Sequence, residues 1–171
     1  MSRLKLQKYV ALAAMAGAIL IGGLFLVAWL RQETTMRNYY NDVLHNTWWN
    51  KDLVAHFPDP IPPEATGVQV FYFPGFMQGG PEFQVHFRLP PEKISRLYEE
   101  LGAQAIYRFK AGDAPREVFV PPFLADGRAG HPFPATYEIF VFKNEGANHR
   151  KICGVAIDRT TNDIVYWADA G

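Results

Sequence analysis

Few side chains in this 171-residue chain could carry out chemistry, and they are scattered. The two serines, Ser2 and Ser95, lie outside any G-x-S-x-G or S-x-x-K setting, so a serine nucleophile is unsupported. Cys153 is the single cysteine, which excludes an intramolecular disulfide. Its alternation with Val155 and Ile157 predicts a buried, inert thiol on a strand. A reactive thiolate would instead need an electropositive, partly open setting. The histidines, at 45, 56, 86, 131 and 149, form no H-E-x-x-H, H-x-H or Cys/His zinc spacing. His56 and Asp59 make the nearest local cluster, with Phe57 and Pro58 between them. A hydrogen-bonded or solvated imidazole is the plainer expectation at each position.

Asp113, Glu117 and Asp126 share a long loop and qualify as acid–base candidates by location alone. No G-x-G-x-x-G or G-x-x-x-x-G-K-[ST] occurs; Gly75, Gly79 and Gly80 lack a neighbouring lysine and open a strand, not a helix. The sequence therefore assigns no catalytic residue, no cofactor and no metal ligand.

Recognition is better represented than catalysis. Phe76 and Met77 fall at the tip of a Gly/Pro hairpin, where they either fold back as a lid on the core or offer an adaptable apolar contact. Phe123, after Pro121 and Pro122, and Phe133, between Pro132 and Pro134, repeat this theme in the long loop together with His131. Over 83–89 the chain alternates: Phe83, Val85, Phe87 and Leu89 point one way, while Gln84, His86 and Arg88 point the other. The polar set is expected to line an open sheet face. Candidate partner or ligand contacts are thus Phe76, Met77, Gln84, His86, Arg88, Phe123, His131 and Phe133.

The elements that must hold these residues begin with residues 9–30, which carry no charge, Asn, Gln or Pro. At about 1.5 Å per residue this run is long enough for a bilayer's hydrocarbon core of about 30 Å. Tyr9 and Trp29 bracket it, and Arg3, Lys5 and Lys8 precede it. By the positive-inside rule these features predict an uncleaved signal-anchor, with a cytosolic tail at 1–8, a transmembrane helix at 9–30 and an exported remainder. Ala14, Ala18 and Gly22, four apart, form a small-residue stripe suited to helix packing in a homodimer or with a protein partner.

Residues 31–63 read as a stalk helix over 33–56 followed by a proline-rich connector, which places a domain at 64–171. Within that domain the spacing predicts strands at 68–73, 83–89, 105–109, 137–143, 151–158 and 163–168. A helix starts at Pro91, with Ile94, Leu97, Tyr98 and Leu101 on one face and Gly102 as its stop. The expected class is α+β: a single transmembrane helix and stalk, then an antiparallel sheet packed by one main helix.

The charges balance at 17 Lys+Arg against 17 Asp+Glu. Beyond residue 30 there are 14 bases and 17 acids. That mild acidity, without a basic stripe, argues against nucleic acid as a partner. The leading functional expectation is a membrane-anchored, extracytoplasmic, non-catalytic interaction or accessory component of an envelope assembly, in the periplasm if the cell is Gram-negative. The alternatives are a small-molecule or peptide-binding module on the open sheet face, and a membrane-tethered hydrolase using carboxylate or histidine chemistry.

Overall fold

The described residues of the computed structural model are 3–48, 50–75, 80–127, 130–145 and 151–171, with the side chains of 3–18 and 25–26 also set aside. The chain divides into two compact units, Met1–Thr35 and Met36–Gly171. The first is helical throughout its described length, as part of α1 (Arg3–Asp42), which runs on into the second unit. Ile19, Leu20 and Leu24 are all strongly exposed on it.

Among the described residues no helix is long and apolar enough to cross a membrane. The apolar stretch whose side chains are described begins at Ile19 and ends at Leu30, and Arg31, Gln32 and Glu33 follow in the same helix. A span needs about 20 consecutive apolar residues. The transmembrane helix at 9–30, the signal-anchor, the single-pass membrane localisation and the extracytoplasmic placement built on it are corrected accordingly. The side chains of Ala14 and Ala18 lie outside the description, and a Cβ on Gly22 would meet nothing within 4 Å.

In the second unit, the end of α1 leads into a π turn, Val43–Thr47, and a short 3-10 turn, Lys51–Val54. Lys51 Nζ donates to the carbonyls of Leu44 and His45 at 2.6 and 3.0 Å, satisfying helix-end acceptors that would otherwise be bare. The Arg37 guanidinium donates to the Ile61, Pro62 and Ala65 carbonyls, and Tyr40 Oη donates to Pro58 O at 2.6 Å. These bonds clamp the proline-rich stretch onto the helix end, so Phe57 and Ile61 reach the core.

Six strands follow: β1 (Thr66–Phe73), β2 (Glu82–Arg88), β3 (Tyr107–Lys110), β4 (Glu138–Glu145), β5 (Lys151–Asp158) and β6 (Asp163–Asp169). They form one sheet in the order β1-β2-β6-β5-β4-β3, antiparallel at every pairing. α2 (Pro91–Gln104) joins β2 to β3 and buries Ile94, Tyr98 and Leu101. It runs two residues past Gly102. That glycine is a site of close approach, since a Cβ there would lie 3.1 Å from the Arg108 guanidinium and 3.7 Å from the Phe140 ring. Here tertiary packing outweighs the usual helix-stop tendency of glycine.

One face of the sheet carries Phe83, Val85, Phe87, Val155 and Tyr166 into the larger core. Phe83 is its hub, with the rings of Phe57, Tyr40 and Trp48 at 5.0, 5.7 and 5.9 Å. His56 sits on the same side among Phe57, Phe142 and Tyr166, with ring centroids 4.9, 5.0 and 6.0 Å away, and its Nε2 bonds the Gly154 carbonyl at 3.0 Å. Burial pushes this imidazole down to about 4. The unfolded chain therefore takes up the proton first as the pH falls. The stability that neutral His56 contributes is whole above about 6.5 and is lost on acidification towards about 4, an effect of about 2–3 kcal/mol. Thermal melts between pH 4 and 7 should show this slope, and a His56→Phe variant should flatten it. An unchanged slope in the variant would assign the acid sensitivity elsewhere.

Candidate functional site

The second face of the sheet is not open. Residues 111–137 leave β3 and cross it before entering β4, closed at their base by Ala111 N donating to Tyr137 O at 2.9 Å. Alternation sends Ile139, Val141, Ile152, Val165 and Trp167 to this side, where they bury against Val118, Phe123, Phe133 and Tyr137 from the loop. Phe123 and Phe133 lie parallel at 5.1 Å with 7° between their planes, and Phe123 N donates to His131 O at 2.7 Å. These phenylalanines of the loop are thus a second small core.

Gln84 is the pin that holds this loop. It is fully buried, and both ends of its amide are used. Oε1 accepts from the backbone N–H of Leu124 and Ala125 at 3.0 and 3.4 Å. Nε2 donates to Pro122 O at 2.7 Å and to Glu82 Oε1 at 2.8 Å. The loop offers backbone groups with no strand to pair with, and one amide side chain takes up three of them. Unpaired, such groups would cost free energy once buried.

His86 lies edge-on to Phe123 at 5.5 Å, its Nε2 3.0 Å from Asp163 Oδ1. Burial holds the imidazole below its usual range; because the group at Nε2 is a carboxylate, which can only accept, Nε2 is the donor in this bond. Nδ1 is buried without a hydrogen-bond partner among the described residues. Arg88, largely exposed, donates from Nε to the same Asp163 oxygen at 2.8 Å. Burial alone would raise the Asp163 carboxyl, but hydrogen bonds from Thr161, Arg88 and His86 keep it below the usual carboxylate range. Gln84, His86 and Arg88 do share a face. They serve as a loop anchor, a packed neutral ring and a rim ion pair.

Between loop and sheet lies a cavity of about 300 Å³. Phe109 and Ile139 from the sheet side, Val120, Pro121 and Pro122 from one limb of the loop and Pro132 and Phe133 from the other make its walls. Gly130 lets the limbs approach: a Cβ there would sit 2.8 Å from Leu124 Cδ2 and 3.2 Å from Pro122 Cβ. Among the described residues the one titratable side chain in the lining is His131. Its Nε2 is 2.8 Å from Asp126 Oδ2 and its Nδ1 is 2.9 Å from the Pro132 carbonyl. Both ring nitrogens thus face acceptors, so the neutral ring can donate to one of them and only the imidazolium to both.

No family model, curated protein or solved structure matches this chain. Geometry is therefore the whole basis for reading the site.

The remaining candidates are dispersed. Phe76, Met77 and His149 lie outside the described residues. Asp113, Glu117 and Ser95 are exposed, and only Asp126 of the loop acids meets a histidine. His56 and Asp59 do not converge; Asp59 pairs with His45 instead, at 3.1 Å on the surface. Cys153 is buried, and burial pushes its thiol up to about 11, far from a thiolate at neutral pH. No group of three or more His, Cys, Asp or Glu among the described residues could hold a metal ion.

Two participants escaped the sequence reading. Extending the alternation one step before Phe83 puts Glu82 on the Gln84 face, a signal that was present. Asp163 carries no local mark; only the β2–β6 register, which pairs it with Arg88, brings it to the site.

Proposed function

We propose that the protein is a non-catalytic binding module whose loop-roofed cavity takes a small, uncharged, apolar ligand of about one or two rings. The observation that carries this reading is the lining. Among the described residues it is hydrocarbon apart from backbone and His131, and His131 already faces Asp126 and the Pro132 carbonyl. Among the described residues a ligand charge would meet no unengaged counter-charge in the lining, and losing its hydration costs several kcal/mol in apolar surroundings. At about 300 Å³ the cavity stands at the small end of ligand sites. Prolines on both limbs restrict the backbone, so little ordering entropy is lost on binding.

The test is a titration of the whole chain with 1-naphthol, indole and 1-naphthoate, followed through the Gly112 and Gly130 amides. The two neutral rings should bind in the sub-millimolar range, about −4 to −6 kcal/mol, and the carboxylate at least about tenfold more weakly. Ala114 lines the cavity yet is exposed. Ala114→Trp should therefore fill the space and weaken 1-naphthol about tenfold or more, with a melting point within about 2 °C of the parent. Absence of binding by every probe at millimolar concentration would end the proposal.

A further inference from the structure

Among the described residues Glu82 is the one titratable side chain bonded directly to the loop's anchor, and its surroundings are unfriendly to charge. In the β2–β6 register it stands opposite Asp169. Directly opposed residues of an antiparallel pair share a face, with Cβ atoms about 5 Å apart, and like charges there repel. On its other side the register partner is Phe73 of β1, and the loop residues held by Gln84, Pro122 to Ala125, include no titratable side chain. Among these neighbours Asp169, whose Oδ1 accepts from Gly171 N at 2.8 Å, is the facing charge, and the donor Glu82 receives is Gln84 Nε2.

We propose that the Glu82–Asp169 pair is a pH-responsive latch on the loop, in which a proton held at Glu82 keeps Gln84 fixed to Pro122, Leu124 and Ala125 and its loss loosens that segment. With Glu82 neutral, its carbonyl oxygen accepts from Gln84 and its own repulsion of Asp169 is gone. Once ionised, it is a partly buried carboxylate beside another. It is relieved by swinging towards water, which withdraws the partner that orients the Gln84 amide. Burial, with Asp169 adding to it and the Gln84 bond opposing it, already pushes this carboxyl up to about 7. The transition then falls at neutral pH. The latch is a property of the loop itself; only its consequence for ligand affinity rests on the binding reading above.

Amide hydrogen exchange of the whole chain, corrected for intrinsic rates, tests it without any ligand. From pH 6 to 8.5, protection at Leu124 and Ala125 should fall at least about tenfold more than at Val155 in the central sheet. Glu82→Gln should hold that protection level across the range. Asp169→Asn, by removing the opposing charge, should move the midpoint to lower pH. Equal losses at Val155 and the loop, or a Glu82→Gln variant that still loses loop protection, would overturn the latch. A flat profile together with 1-naphthol binding would overturn the latch alone, whereas a pH-dependent loop that binds no probe would overturn the binding function alone.

Discussion

Replacing Gln84 with leucine is expected to release the loop from the sheet, at a cost of about 3 kcal/mol and most of the cavity's ligand affinity. Leucine nearly matches glutamine in volume, so packing is roughly kept and the loss is one of hydrogen bonding. The N–H groups of Leu124 and Ala125 lose their acceptor, and Pro122 O and Glu82 lose their donor. Each buried backbone group left unpaired costs about 1–3 kcal/mol. The total stays below the sum because a detached loop can be rehydrated. Urea unfolding should show the lower midpoint, and 1-naphthol should bind at least about tenfold more weakly because Pro122 lines the cavity. A variant with the parent's midpoint and affinity would show that the ring stacking of Phe123 on Phe133 holds the loop unaided.

A second large effect is expected at Gly154, in the centre of the sheet on β5. A Cβ at this position would lie 2.3 Å from the carbonyl oxygen of Phe140 on β4 and 2.5 Å from Cζ2 of Trp167 on β6. Neither neighbour can yield cheaply. The first is backbone within a ladder, and the second is a fully buried indole in the core beneath the loop. Gly154→Ala should therefore force strands apart or tilt Trp167, destabilising the domain by about 3 kcal/mol. For a chain of this size that is a fall in melting temperature of about 10 °C. Trp167 reports on it directly, through a red shift and loss of intensity in the buried tryptophan emission. The Gly154 carbonyl also receives His56, so the variant should in addition steepen the acid sensitivity. A melting temperature within about 2 °C of the parent would mean that the β4–β5 spacing is softer than this contact implies.

What could be read locally and what could not separate cleanly along the chain. The alternation of Phe83, Val85 and Phe87 is a two-residue period that survives any context, and it corresponds to β2. The stripe Ile94, Tyr98, Leu101 after Pro91 likewise corresponds to α2. Both patterns are enforced by backbone geometry within a few residues. Hydropathy over 9–30 points to a membrane span, yet among the described residues no helix is long and apolar enough to cross a membrane. The proline-rich stretch before β1 reads as a connector because prolines exclude helix. That it is packed in depends on Arg37 reaching three carbonyls more than twenty residues away.

The candidate site shows the same division more sharply. Gln84, His86 and Arg88 were legible as one polar face, and Phe123, His131 and Phe133 as an apolar, proline-rich loop. Nothing local says that the two belong together. Polar residues on a strand ordinarily mean water on that side, and only the passage of 111–137 across the sheet turns Gln84 from a solvated amide into a buried one.

Residue order alone thus settles which segments can be strand or helix, which thiol and hydroxyls are poorly placed for chemistry, and where the loop must be irregular, because these follow from short-range sterics and periodicity. The cavity, the three backbone groups gathered by one glutamine and the opposition of Glu82 to Asp169 were decided by the fold. Each needs residues far apart in the chain to meet, and no short-range rule encodes that meeting.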